Sequence, residues 1–183
     1  MAQKPTNITD QPFLYTIGTI AEKKNFHVLP ALLVHNNYLL IISGITQSQT
    51  YKDKIIATAK SFGVADRVVF TGAISEAEKY WYYQHCKAFV FPSLAEGFGL
   101  PVIEAMHFGK PVILSTHTSL PEVGGEHAYY FQNFEPASMQ QTLLNSLAHY
   151  QQQNSQALIK VWANTFTWQE AAIQYLNIYR SLY

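Results

Sequence analysis

The chain has 183 residues, of which 48% are hydrophobic and 13% charged, and 12 Lys plus Arg balance 12 Asp plus Glu. That content excludes a disordered chain, and the even charge argues against a basic nucleic-acid-binding face. A single cysteine, Cys86, excludes an intrachain disulfide and a cysteine-based zinc site.

Residues 1–12 are polar, carry Pro5 and Pro12, and read as a linker or frayed start. They hold no apolar segment of signal-peptide type, and no run in the chain approaches the ~18 apolar residues of a membrane span. The cytoplasm is the simplest compartment. A rhythm then begins. FLYTIG (13–18) is an apolar run ending in glycine and predicts a strand. AEKKNFHVLPALLVH (21–35) has a helical pattern after its first residues, interrupted by Pro30. YLLIISG (38–44) predicts a strand.

YKDKIIATAKSFG (51–63) places Ile55, Ile56, Ala59 and Phe62 on one helical face and stops at Gly63. RVVFTG (67–72) predicts a strand. SEAEKYWYYQHC (75–86) predicts a helix capped by Ser75, with Glu78 at capping-box spacing. Its aromatic run reads as core plus amphipathic surface, with Cys86 as a small core residue. KAFVFPS (87–93) predicts a strand, followed by a helix from about Leu100 to Phe108. PVILST (111–116) is another strand and HAYYF (127–131) a weaker one. The remainder is helical: one helix over 136–150, then one or two from about Ser155, after the Gln-rich turn 151–156.

Continuous apolar strands alternating with helices predict an α/β fold: a Rossmann-like, doubly wound parallel sheet in a single domain over 13–183. Ligands of such sheets sit beyond the carboxyl ends of the strands. Gly18–Thr19, Gly44, Gly72, Ser93 and Ser115–Thr116 stand at those ends.

The segment PSLAEGFGLPVIEAMHFGKPV (92–112) carries the densest chemistry. Gly97 and Gly99 permit positive φ or close approach to a ligand, and Pro101 suits a first helical turn. The amides of Leu100, Val102 and Ile103 should then face outward at a helix start, which attracts anions such as phosphate. Glu104, in the first turn or just after it, offers two acceptor oxygens that match the vicinal hydroxyls of a ribose. Glu96, before the turn, could hold hydroxyls at the far end of a diphosphate. The plainer alternatives are a glutamate that only complements the helix dipole and a glycine-rich loop that is only a tight turn.

E-G-F-G-L-P-V-I-E (96–104) resembles the two-glutamate signature of the retaining, nucleotide-sugar-dependent glycosyltransferases of family 4, in their C-terminal, donor-binding domain. YTIGTIAEKKN (15–25), VVFTGAISEAEKYWYY, GKPVILSTHTSLPEVGG and FTWQEAAIQYLNIYRSLY are similar to further parts of that domain. The resemblance covers the chain from about residue 12 and implies one half of a GT-B enzyme. It implies that Lys24, with Lys23, faces the donor diphosphate, that Glu96 contacts the transferred sugar, and that Glu104 holds the ribose. It further implies that Gly18 admits the donor, that the backbone of Gly97, Phe98, Gly99 and Leu100 contacts sugar and phosphate, and that Gly72, Ala73 and Ile74 border the base. Lys24 and Glu96 are the implied catalytic pair. Thr19 stands where many members carry arginine, which removes a bidentate phosphate donor.

The family implies no cofactor and no catalytic metal, with a nucleoside diphosphate sugar as substrate and a glycan or lipid-linked acceptor. It also implies that the acceptor-binding N-terminal domain is missing from these residues, so that the 183 residues alone do not transfer sugar. Peripheral membrane association of the full-length enzyme is compatible with it; nucleic-acid binding is not expected. The G-T-I…K-K-N variant resembles mannosyltransferases of bacterial surface polysaccharides, which makes GDP-mannose the first donor to consider. A nicotinamide enzyme would need G-x-G-x-x-G after the first strand, where G-T-I-A-E-K stands. A non-catalytic module that binds a nucleotide or a protein is the remaining alternative.

Overall fold

A computed structural model describes residues 2–5 and 10–182. Met1, residues 6–9 and Tyr183, on which parts of the linker and closing-helix expectations fall, lie outside the described residues.

Six strands form one all-parallel sheet: β1 (Phe13–Ile17), β2 (Leu39–Ser43), β3 (Val68–Gly72), β4 (Ala88–Phe91), β5 (Val112–Ser115) and β6 (Tyr129–Phe131). Their spatial order is β3-β2-β1-β4-β5-β6. This is the dinucleotide-fold order, whose direction of winding reverses between β1 and β4. Each predicted strand is present within a residue or two of its expected ends.

Among the described residues the α-helices are α1 (Gln49–Ser61), α2 (Glu76–His85), α3 (Leu100–His107), α4 (Leu120–Gly124), α5 (Pro136–Gln152), α6 (Gln156–Ala163) and α7 (Trp168–Ser181). The capping box of α2 forms as predicted: Glu78 N–H donates to Ser75 Oγ, and Ser75 N–H to the Glu78 carboxylate. The one helix that fails is 21–35. It is two 3₁₀ segments, Glu22–Lys24 and Phe26–Leu33, split by Asn25 at φ 56°. Pro30 has no N–H and its ring clashes with the carbonyl four residues back, which disfavours a regular α-helix through it by about 3 kcal/mol. Apolar burial holds the segment instead, with Phe26, Leu29, Pro30, Ala31, Leu32 and Leu33 all buried. The short α4 was not expected; five residues that end in Gly124 leave no helical period to read.

Alternation along the strands gives the sheet two apolar faces. Phe13, Tyr15, Ile41, Phe89, Phe91, Val112 and Leu114 point to one face, where α2, α3 and α6 pack. Leu14, Leu40, Ile42, Val90 and Ile113 point to the other, covered by α1, α5 and the 3₁₀ segment. Each fully buried side chain of this size contributes about 1.5–3 kcal/mol, so the sheet is held by its two covers. The aromatic run of α2 divides as expected: Tyr82 and Tyr83 are core, and Tyr80 is exposed. Cys86 is buried beside them, and burial pushes its thiol up to about 12, so it stays protonated at neutral pH.

Candidate functional site

The reversal of strand order places the loop after β1 beside the loop after β4 at the carboxyl edge of the sheet. The two loops are bonded to each other. Leu94 N–H donates to the Lys23 carbonyl at 2.8 Å and Ser93 Oγ donates to it at 3.1 Å. This clamp brings Lys24 Nζ to 2.6 Å from Glu96 Oε1. The two side chains are 11% and 12% exposed, and the ammonium also lies 4.9 Å from the centroid of the Phe91 ring. Lys24 and Glu96, 72 residues apart in sequence, thus form one charged centre at the point where a doubly wound sheet opens.

Gly18 makes room for that centre. A Cβ there would lie 3.1 Å from Lys24 Cε, so the lysine stem occupies the space a side chain would fill. Behind it, Gly18 N–H donates to Ser43 O, and Gly44 N–H donates to Gly72 O. Gly18, Gly44 and Gly72 therefore form one rank across the ends of β1, β2 and β3. Thr19 and Lys23 complete the first loop, with the Lys23 side chain exposed; it is the Lys23 carbonyl that anchors the loop. Ala73 is exposed beyond Gly72, and Ile74 packs inward on the aromatic cluster.

The glycine-rich loop is fixed from the side by the loop after β5. Glu96 N–H donates to Thr118 Oγ1 at 3.0 Å, and Ser119 Oγ donates to the carbonyls of Glu96 and Phe98. Ser115 Oγ donates to the Ser93 carbonyl. Thr118 and Ser119 escaped the sequence reading. Their only signal was a run of small hydroxyl residues just past a strand. Gly97 and Phe98 are exposed at the loop's crest.

Gly99 caps α3 at φ 103°, and Pro101 takes the second helical position. One expectation fails here. Val102 N–H does not face outward, because it donates to the Gly99 carbonyl at 2.8 Å. The first turn tightens in the 3₁₀ manner and satisfies its own donor. The outward anion site is accordingly smaller than expected. Leu100 is exposed at its mouth.

Glu104 is the fifth residue of α3 and leans toward α2. Lys79 Nζ donates to its Oε1 at 3.0 Å and Tyr83 Oη donates to its Oε2 at 2.8 Å. Lys79 also meets Glu76 Oε2 at 2.9 Å. Burial alone would lower the Lys79 pKa, but the hydrogen bonds to Glu76 and Glu104 outweigh it and the net shift is upward. Neither Lys79 nor Tyr83 was singled out by sequence, since a lysine on a helix and a tyrosine in an aromatic run both have ordinary explanations.

The family described as glycosyl transferases, group 1, matches residues 1–159. The chain belongs to the group 1 glycosyl transferases. Within this family it is similar to the serotype-specific mannosyltransferase WbdA of Escherichia coli, at 32% identity over 168 residues. That match covers 84% of this chain and 20% of the relative. It is also similar to the O-antigen chain mannosyltransferase B of Escherichia coli, at 29% identity over 181 residues, covering 94% of this chain and 46% of the relative. Among solved structures, a sucrose-phosphate synthase from Thermosynechococcus elongatus superposes with a TM-score of 0.80 at 25% identity, over 94% of this chain and 46% of that one. The chain therefore spans less than half the length of these relatives. Its six-stranded parallel sheet is the Rossmann-like fold of a GT-B glycosyltransferase half, as the sequence predicted.

Proposed function

We propose that this chain is the donor-binding domain of a retaining glycosyltransferase that moves a sugar from a nucleoside diphosphate sugar to a glycan or lipid-linked acceptor. The observation that carries the reading is the Lys24–Glu96 centre at the strand-order reversal, with the carboxylate of Glu104 fixed on α3. The family and the mannosyltransferase relatives support it, and GDP-mannose is the first donor to test.

In this reading the diphosphate lies between the start of α3 and Lys24, with Lys23 at the rim. Glu96 and the backbone of Gly97, Phe98, Gly99 and Leu100 hold the sugar. Glu104 accepts from the ribose, and Gly72, Ala73 and Ile74 border the base. Cleavage of the bond from the anomeric carbon to the diphosphate oxygen leaves negative charge on that oxygen and positive charge on the ring. The Lys24 ammonium, already fixed on the sheet edge, is aimed at the first. Glu96 can turn from Lys24 toward the sugar when the diphosphate takes over the lysine. The acceptor hydroxyl oxygen then bonds to the anomeric carbon on the face the diphosphate leaves, and its proton passes to the departing diphosphate oxygen. Glu96 orients the sugar and does not attack it; a two-carboxylate glycosidase scheme needs both groups at the anomeric centre, and Glu104 is committed to α2.

A second, acceptor-binding domain completes the enzyme in this proposal, and the reading calls for no resident metal or cofactor. Proton NMR of the sugar product, made by the enzyme with that domain supplied, tests it. The anomeric configuration of the donor should be retained, and Lys24→Ala should lower kcat about 100-fold or more. An inverted product would refute the retaining assignment.

A further inference from the structure

We infer that Lys79 and Tyr83 of α2 are positioning residues that act through Glu104, fixing its carboxylate so that the chain grips a ribonucleotide in preference to the 2′-deoxy form. This rests on the donor-domain reading above.

The geometry is specific. Each oxygen of Glu104 receives one protein donor, Lys79 on Oε1 and Tyr83 on Oε2. A carboxylate can accept about four hydrogen bonds, so one acceptor position remains on each oxygen. The Glu104 side chain is 34% exposed, which leaves those positions open to a ligand. Two adjacent acceptors with a fixed spacing are what a vicinal diol requires. A glutamate without tethers would lose side-chain freedom on binding, whereas this one is already ordered.

The two tethers are themselves immobile. Tyr83 is fully buried, stacked on Phe108 and set edge-on against Tyr15. Burial raises its pKa well above the ordinary value, so its hydroxyl remains a donor. The Lys79 side chain is 14% exposed and is held from the other side by Glu76. Its ammonium thus lies between the carboxylates of Glu76 and Glu104, and 5.7 Å from the centroid of the Tyr80 ring. A plain staple between α2 and α3 would need neither a half-open carboxylate nor a donor on each of its oxygens.

Calorimetric titration of the 183-residue chain with GDP, UDP and ADP, then with the 2′-deoxy form of whichever binds, tests the inference. The wild-type chain should prefer the ribonucleotide about ten-fold or more, the effect of one hydrogen bond to a charged group. Tyr83→Phe and Lys79→Met should each reduce that preference to about three-fold or less. Affinity for the deoxynucleotide should stay within about two-fold, and Lys79→Arg should keep the preference. Melting temperatures recorded on the same samples isolate a stapling role. If both variants melt earlier while the preference stays at its wild-type value and Glu104→Gln removes it, Lys79 and Tyr83 are only a staple and the inference is overturned with the donor reading intact. If no nucleotide binds, or ribo and deoxy forms bind alike and Glu104→Gln changes nothing, the donor reading fails and takes the inference with it.

Discussion

A Gly44→Ala substitution is expected to destabilise the chain by about 3 kcal/mol or more, which places it among the most damaging single methyl additions possible here. Two effects combine. Gly44 sits at φ 132°, where an L side chain is strained by about 1–3 kcal/mol. The added Cβ would also fall 2.1 Å from the Gly18 carbonyl oxygen and 2.7 Å from its carbon. Backbone cannot give way as a flexible side chain can. The loop after β1 would have to move, and it carries Lys24. Domains of this kind have about 5–15 kcal/mol of total stability, so much of the folded population is at risk. Urea unfolding followed by circular dichroism reads the change, and a loss under about 0.5 kcal/mol would show that the close approach of these two backbones is not as described. Gly97 is the internal control, because a Cβ there meets nothing within 4 Å.

The second large effect concerns the charged centre. Lys24→Met is expected to cost about 2–3 kcal/mol, since it leaves the Glu96 carboxylate, 12% exposed, without its cation. Replacing both partners should cost less than the sum of the single changes. Lys24→Met with Glu96→Gln removes the two charges together, and a coupling of about 2 kcal/mol is expected from the four-corner cycle. Additive losses would mean that the pair is not a stabilising contact. The same cycle separates stability from function, because the double variant should fold well and still fail to bind a diphosphate. A chain that keeps these charges partly desolvated beside Phe91 has accepted a folding cost, which is expected where a ligand's phosphates compete for the lysine.

Much of this was legible in the sequence, and the divisions follow physical lines. The strands were legible because a parallel sheet covered on both faces needs continuous apolar runs, such as YLLIISG and KAFVFPS. The start of α2 was legible because Ser75 and Glu78 satisfy each other locally. The stretch 21–35 misled because its apolar spacing suits a helix, while Pro30 and the left-handed Asn25 disfavour one. Both glutamates of the signature could be singled out from the glycines and proline around them. Lys24 was singled out through the resemblance of the first loop, whereas Lys79 and Tyr83, the partners of Glu104, were not. Lys24 reaches Glu96 only because the sheet sets β1 beside β4, and no local pattern encodes a pairing across 72 residues. Lys79 and Tyr83 are four residues apart and share a helix face, but nothing on α2 announces that Glu104 lies opposite. The hydroxyls of Ser115, Thr118 and Ser119 likewise gain their role from strand order.

The central claim is that this edge of the sheet binds a nucleoside diphosphate through Glu104 and Lys24. Titration of the chain with GDP, UDP and ADP, with Glu104→Ala in parallel, tests it most directly. One nucleotide at about 100 times its Kd should add about 2.7 kcal/mol of stability, a melting shift of several degrees. Glu104→Ala should abolish that shift and leave the fold intact. A nucleotide that binds Glu104→Ala as tightly as the wild-type chain, or no binding of any of the three at millimolar concentration, would contradict the account.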